Sequence, residues 1–199
     1  MNNRSQYPNM AKPARARLLK IRGFTLIELA ITLAIGGILA AVAIPNLVST
    51  MRSNNVKSRA ASLQADIAYA RNEASRRRAT VSLCPIQSLA DITTGEYTCT
   101  STATDWSNGW LIYSGSQKGS NKLDANQVLK VRNDVAGIAI SVPSSSEIAG
   151  ANFLSLNQLG GAKQTGVFTI CPTGTTSSQG ITLEVYRSGS VNPSLATCS

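Results

Sequence analysis

The sequence predicts an α+β protein in which a long N-terminal helix packs against a head of antiparallel β-strands. An apolar run extends from Phe24 to Ile44, a helical apolar stripe follows it, and the rest consists of short strand-like segments between turns. The run is long enough to cross a membrane, which takes about 20 apolar residues. The expected segments are a basic leader, a spanning helix, an amphipathic continuation of that helix and a β-rich head, at 1–23, 24–48, 49–80 and 81–199.

The apolar run contains 21 residues, and Glu28 is its only charged side chain. A secretory signal has about 7 to 15 apolar residues before a small-residue cleavage site, whereas this run is longer and has no clear site of that kind. A simple membrane anchor fits the length, but a carboxylate inside a span costs about 2.5 to 3.5 kcal/mol. Glu28 therefore indicates a function beyond anchoring.

The positive charge of the chain is concentrated ahead of this run. The formal net charge is +9, and without residues 1–23 there remain 13 basic and 10 acidic residues, a net charge of +3. Basic residues that flank a span stay on the cytoplasmic side, so the chain from Asn46 onward is expected in the periplasm. The basic leader residues are Arg4, Lys12, Arg15, Arg17, Lys20 and Arg22.

The second part of the helix carries one apolar stripe, with steps of four and three residues, that is expected to pack on the head. The helix is expected to end near Ala79, where a strand-like period of two begins. Three arginines should lie largely off the stripe, namely Arg52, Arg59 and Arg71. The residues of the stripe are Val56, Ala60, Leu63, Ile67, Ala70 and Ala74.

Seven segments after the helix are predicted to be strands, because apolar and β-branched residues are bounded there by turn residues. Their number and their short connections favour antiparallel pairing in a single globular domain. They are Thr80–Cys84, Gly109–Tyr113, Val128–Arg132, Gly137–Val142, Asn152–Leu156, Gly166–Cys171 and Ile181–Arg187.

All four cysteines follow the span, in a compartment where disulfides persist. Three connectivities are possible. We favour Cys84 with Cys99 and Cys171 with Cys198, because each pair brackets a polar loop or tail with little apolar content. The chain has no histidine and no Cys-x-x-Cys spacing, so a metal site is not expected.

No residue pattern indicates catalysis. Histidine, the usual general base and triad member, is absent, and no phosphate-binding glycine motif is present. We therefore expect no enzyme, no catalytic residue and no cofactor. Trp106 and Trp110 are expected in the core rather than on a ligand-binding surface. The run 76–78 is expected to be solvated arginine at the end of a helix.

The segment Gly23-Phe24-Thr25-Leu26-Ile27-Glu28 resembles the class III signal of type IV prepilins and type II secretion pseudopilins. The resemblance implies that residues 1–23 are a prepilin leader and that a prepilin peptidase cuts between Gly23 and Phe24. It further implies N-methylation of Phe24 and pairing of Glu28 with the terminal amine of an adjacent subunit. The alternative for Glu28 is that its side chain reaches the membrane interface.

Segments through most of the mature chain resemble the FimT/GspH family, which includes FimU-like minor pilins. The matching segments are Ala70–Ala74, the strand that ends at Cys84, Trp106–Leu111, and Gly166–Cys171 with the strand that follows it.

The resemblance implies a pilin-like fold and a minor pilin that primes assembly of a type IV pilus, near its tip. Its implied partners are other minor pilins, the major pilin, the prepilin peptidase and the inner-membrane assembly platform. The implied location is the inner membrane, in one pass, and then a pilus fibre on the surface of a Gram-negative bacterium. The alternatives are a GspH-type pseudopilin of type II secretion and a FimT-like minor pilin for DNA uptake. The segment that corresponds to the DNA-binding region of FimT, 186–191, contains one arginine.

Overall fold

The computed structural model describes residues 23–101, 104–116, 122–133, 137–174 and 178–198, without the side chains of residues 45, 46, 90 and 91. These residues fall into two units that divide between Ile44 and Pro45, and each is described separately. The helices are α1 (Leu26–Arg77), α2 (Leu89–Thr93) and α3 (Glu147–Ala151). The strands are β1 (Val81–Pro85), β2 (Tyr97–Thr98), β3 (Trp110–Ser114), β4 (Lys122–Leu123), β5 (Val128–Arg132), β6 (Ile138–Ser141), β7 (Leu154–Leu156), β8 (Gly166–Pro172), β9 (Gln179–Val185) and β10 (Val191–Thr197).

The first unit contains the beginning of α1. Thr25 caps the helix, because its side-chain oxygen accepts a hydrogen bond from the backbone N–H of Glu28 at 3.2 Å. The helix is long and apolar enough to cross a membrane, with a mean hydropathy of 2.3 over its most apolar 18 residues. The large apolar side chains from Leu26 to Ile44 are all more than half exposed.

In the second unit, α1 buries the apolar stripe that its sequence predicts. Val56, Leu63 and Ile67 are at most 2% exposed, and the three alanines of the stripe are buried as well. The stripe shares one core with residues from two β-sheets. The prediction that this face packs on the head is therefore confirmed.

Two four-stranded antiparallel sheets and one small pair make up the β-structure of the described residues. Their strand orders are β5-β3-β1-β7, β10-β9-β8-β6 and β2-β4. Trp106 and Phe168 pack edge to face within the main core, with ring centroids 4.9 Å apart. Trp106 and Trp110 are both fully buried, which confirms their predicted place in the core.

Disulfides join Cys84 to Cys99 and Cys171 to Cys198, the two pairs that the sequence favours. The first lies in a smaller apolar cluster. The second ties the residue after β10 to β8, and it passes close over Gly180, where an added Cβ would lie 2.5 Å from the Cys198 sulfur.

Several predicted boundaries are wrong. The strand expected from Asn152 starts at Leu154, because Ser146 caps the short helix α3 and Asn152 ends it in a left-handed conformation. The strand expected to reach Arg187 ends at Val185, where the turn into β10 begins. Helix α1 ends at Arg77, two residues before the expected end. Strands β2, β4 and β10 and helices α2 and α3 were not predicted.

Candidate assembly site

The first residues described lie in an exposed segment ahead of α1. Gly23, Phe24 and Thr25 have no regular secondary structure, and Phe24 is 82% exposed. A side chain added at Gly23 would meet no atom within 4 Å. The fold therefore does not itself require glycine at this position. The other residues of the expected leader, 1–22, lie outside the described residues.

Glu28 lies in the exposed first turn of α1. Its backbone N–H is bonded to Thr25, but none of the ion pairs among the described residues involves its carboxylate. An acidic group at a helix N-terminus gains about 0.3 to 1 kcal/mol from the helix dipole, which is less than the cost of placing it in a membrane. A cation from outside the chain would supply the missing stabilisation.

The second unit contains a buried carboxylate, on α1, that sequence reasoning missed. Asp66 is fully buried and accepts hydrogen bonds from Trp110 Nε1 at 3.0 Å, Lys130 Nζ at 2.6 Å and Arg132 Nε at 3.0 Å. Burial alone would raise the pKa of Asp66, but the hydrogen bonds and charges of Arg132 and Lys130 outweigh it and hold the pKa below its ordinary value. This cluster ties α1 to β3 and β5.

Aromatic rings extend this cluster along α1. The Arg59 guanidinium lies 5.8 Å from the centre of the Trp110 ring, and Lys130 Nζ lies 5.4 Å from that of Tyr69. Cations at these distances are attracted to a ring face. The signal in the sequence is the spacing of Arg59, Asp66 and Glu73, seven residues apart beside the apolar stripe.

Two of the three arginines at the end of α1 are held by Glu73. The Glu73 carboxylate accepts from Arg76 Nη2 at 2.7 Å and also from Arg77 Nε. These hydrogen bonds, first from Arg76 and then from Arg77, lower the pKa of Glu73 to about 2. The run 76–78, which was expected to be solvated, is therefore partly an ion-pair cluster. Arg78 is not part of that cluster.

Nothing in the described part of the chain forms a metal site, since no group of three or more histidine, cysteine, aspartate or glutamate side chains comes together there. The arrangement instead combines an exposed apolar helix carrying one carboxylate with a disulfide-bonded head. Such a combination is the one expected of a pilin-like subunit.

Comparison with known families agrees with this class. Residues 18–44 match the prokaryotic N-terminal methylation motif, and residues 59–189 match the family described as type II transport protein GspH. The chain belongs to the GspH family. No curated protein matches the sequence.

The fold is similar to that of the type IV minor pilin FimU from Pseudomonas aeruginosa strain PAO1. A crystal structure of FimU in space group P21 aligns with a TM-score of 0.51 and 20% identity, over 71% of this chain and 90% of FimU. A second crystal form, P65, aligns with a TM-score of 0.49 and 20% identity, over 69% of this chain and 91% of FimU. The expected pilin-like α+β fold is therefore confirmed.

Proposed function

We propose that this chain is a minor pilin that primes the assembly of a type IV pilus and stays at or near its tip, where it serves motility and attachment. One observation carries the proposal. A methylation motif over residues 18–44 and a GspH-family head over residues 59–189 occur in one chain, with a fold similar to that of the minor pilin FimU. Such a subunit is structural and performs no catalysis.

In this proposal, the prepilin peptidase cuts between Gly23 and Phe24, and Phe24 is then N-methylated. The bond to be cut lies in an exposed, non-helical segment, which a protease can reach. Since the fold does not require a glycine at position 23, its presence is better explained by recognition in the peptidase.

Changing Gly23 to phenylalanine tests the cleavage position. The variant is expected to accumulate as full-length precursor on an immunoblot, because the bulky side chain would not enter the peptidase site. Gly37→Ala, a glycine change inside α1, is the control and should be processed normally. Normal maturation of the Gly23 variant would show that the cut lies elsewhere.

Glu28 supplies the assembly contact. In the membrane its carboxylate has no cation within the described chain, whereas in a fibre the N-terminal amine of Phe24 on an adjacent subunit would neutralise it. A single buried ion pair of this kind specifies register more than it adds stability. The axial position of each new subunit would then be set by this pair.

The Glu28→Ala variant is expected to insert into the membrane and lose its leader normally while incorporation into pili falls, measured as the amount of the chain in sheared pili. Thr32→Val, one helical turn later, is the matched control and should assemble like the original chain. Undiminished incorporation and unchanged recruitment of other minor pilins by Glu28→Ala would overturn this role for Glu28.

The proposed topology is a single pass through the inner membrane with the head in the periplasm, followed by transfer into a fibre on the surface of a Gram-negative bacterium. The apolar first unit and the basic leader support the membrane pass. Two disulfides suit an oxidising compartment. The proposed partners are the other minor pilins, the major pilin and the inner-membrane assembly platform.

A second candidate is a minor pseudopilin of a type II secretion system, and the description of the matched family favours it. Deleting the gene separates the two functions. Loss of pili and twitching with normal protein secretion supports the pilus, whereas loss of secretion with normal pili supports the pseudopilus.

DNA uptake has less support. Arg187, the one arginine of residues 186–191, already donates to the Glu147 carboxylate at 2.6 Å and to the Lys163 carbonyl. An electrophoretic shift at low salt tests this function. A shift that disappears when Arg76, Arg77 and Arg78 are changed to alanine would favour it.

A further inference from the structure

A polar cavity of about 390 Å³ lies in the head at the point where α1 ends. Two of the residues that line it are basic, and three others carry a hydroxyl or an amide group. The lining residues are Arg78, Ala79, Thr80, Asn157, Gln158 and Lys163.

The two basic side chains of this cavity differ from their neighbours. Arg76 and Arg77 are paired with Glu73, and Arg187 is paired with Glu147. By contrast, within the described ranges no acidic side chain pairs with Arg78 or Lys163, and both are exposed. No acidic residue lines the cavity, so its two positive charges are not compensated by any acidic side chain among the described residues.

Arg78 also has an unusual backbone. Its φ is +52°, and it occupies the position just after the helix where glycine is preferred. Its N–H donates to the Ser75 carbonyl and that of Ala79 donates to the Ala74 carbonyl, which completes a Schellman motif. An arginine held in a conformation that disfavours side chains points to a function for that side chain.

The facing wall of the cavity is rigid. Asn157 Oδ1 accepts from the N–H groups of Leu159 and Gly161, and Lys163 N–H donates to the Ser155 carbonyl at 2.8 Å. The turn at 157–161 packs against Gly189, where an added Cβ would lie 2.0 Å from the Gly160 carbonyl oxygen. The backbone that carries Lys163 is thus fixed before any ligand arrives, which lowers the entropic cost of binding.

We propose that this cavity binds the carboxylate of an aspartate or glutamate side chain on another subunit of the fibre, with Arg78 and Lys163 as its cationic ligands. The inference rests on the proposed function in a fibre. The cavity lies at the opposite end of the head helix from Pro45.

A nucleic acid fits the cavity less well. Non-specific binding to a phosphate backbone uses many basic residues along a track, and single strands also need exposed aromatic rings. This cavity has two cations and no aromatic residue in its lining. Two cationic side chains at one place match the charge of one carboxylate better than that of a phosphate backbone.

Carbodiimide coupling of assembled pili tests the contact directly. The reagent activates a carboxylate, and an amine in contact with it displaces the activating group to form an amide. We expect the mature chain to couple through Lys163 to an acidic residue of another subunit. Mass spectrometry identifies the two coupled residues. Lys163→Arg keeps the charge but removes the amine, so this adduct should disappear while assembly continues.

Charge reversal measures the importance of the contact. Arg78→Glu should reduce co-purification of the neighbouring subunit about tenfold, as expected for a charge-assisted hydrogen bond. Lys57→Glu makes the same charge change on an exposed part of α1 and should have no such effect. To test whether the cavity binds nucleic acid instead, retention of the chain on immobilised double-stranded DNA is measured for both variants.

Two results would overturn the proposal. One is the absence of a Lys163 adduct in pili that contain the chain. The other is an Arg78→Glu variant that keeps its neighbouring subunit, whether or not it still binds DNA. Failure of the proposed function would give a different result from failure of this contact, because the chain would then be missing from pili altogether.

Discussion

The two halves of α1 have the same secondary structure but different surroundings. Between Leu26 and Ile44 the large apolar side chains are more than half exposed in every case, whereas the stripe from Val56 to Ala74 is at most 4% exposed. Apart from Glu28 and Thr32, the first half is apolar on all sides and lacks a polar face, as expected for a helix that is buried in a bilayer or a bundle. The second half has one apolar face, which the head covers.

This difference implies that the second half of α1 contributes to folding and the first half to assembly. The second half contributes to the stability of the head through burial of apolar surface, at about 25 cal/mol for each Å². The first half contributes only where a membrane or other helices surround it. Substitutions in the first half should therefore change assembly, and substitutions in the second half should change the free energy of unfolding of the head.

The largest expected effect is that of a matched pair of leucines. Leu63→Ala leaves a cavity in the core and should lower the free energy of unfolding by about 2 to 5 kcal/mol. Leu33→Ala, in the exposed half of the same helix, should change it by less than about 0.5 kcal/mol. Urea unfolding of the full chain in detergent, followed by the fluorescence of the two buried tryptophans, measures both. Equal losses would contradict the separation of the two halves.

Asp66 should show the next largest effect. Asp66→Ala leaves Lys130, Arg132 and the Trp110 N–H without their acceptor. The expected loss is about 2 to 4 kcal/mol, somewhat below that of a fully buried pair, because the two basic side chains are 38% and 33% exposed. Asp66→Asn keeps an acceptor for Trp110 and should lose less in the same urea experiment. If Asp66→Ala were as stable as the original chain, the cluster would have no role in holding α1 to the sheet.

Arg78 offers a change in the opposite direction. Arg78→Gly should stabilise the head by up to about 1 kcal/mol, since glycine adopts the observed positive φ without steric cost. Arg78→Ala keeps the unfavourable conformation and should give no such gain. A thermal melt of each variant, in detergent, measures the difference. A lower melting temperature for Arg78→Gly than for Arg78→Ala would show that the backbone at this position is not strained.

Glu73 should have the smallest effect, because Arg76 and Arg77 are 71% and 41% exposed and water screens the pairs. The pKa of Glu73 falls from 4.5 to about 2 on folding, so the unfolded chain binds the proton first as pH decreases. The stabilisation is complete above about pH 5 and is lost towards pH 2. Glu73→Gln should lose less stability over this range in urea titrations at several pH values. An identical pH dependence of the two proteins would contradict this linkage.

Periodic and local features were readable from the sequence. The stripe on α1 was predicted residue by residue, because a helix repeats every 3.6 residues whatever it packs against. Strand β5 was predicted with both of its ends, since its β-branched and apolar residues are bounded by turn residues. Strand β10 was not predicted, because most of its side chains are exposed and show no alternation. Its position is set by pairing with β9 and by the disulfide at Cys198.

The features of the candidate site also differ in whether the sequence predicts them. The apolar run and the favoured cysteine pairs follow from neighbours along the chain or from residue counts. The functions expected of Gly23 and Glu28 follow from the resemblance of their segment to prepilin signals. The Asp66 cluster and the cavity at Arg78 do not, because each joins residues more than 60 positions apart in the sequence. Such contacts have no local period and exist only after the sheets and α1 have packed. The sequence alone thus specified the apolar segment that is able to cross a membrane, and packing specified which charged side chains of the described residues are paired with one another.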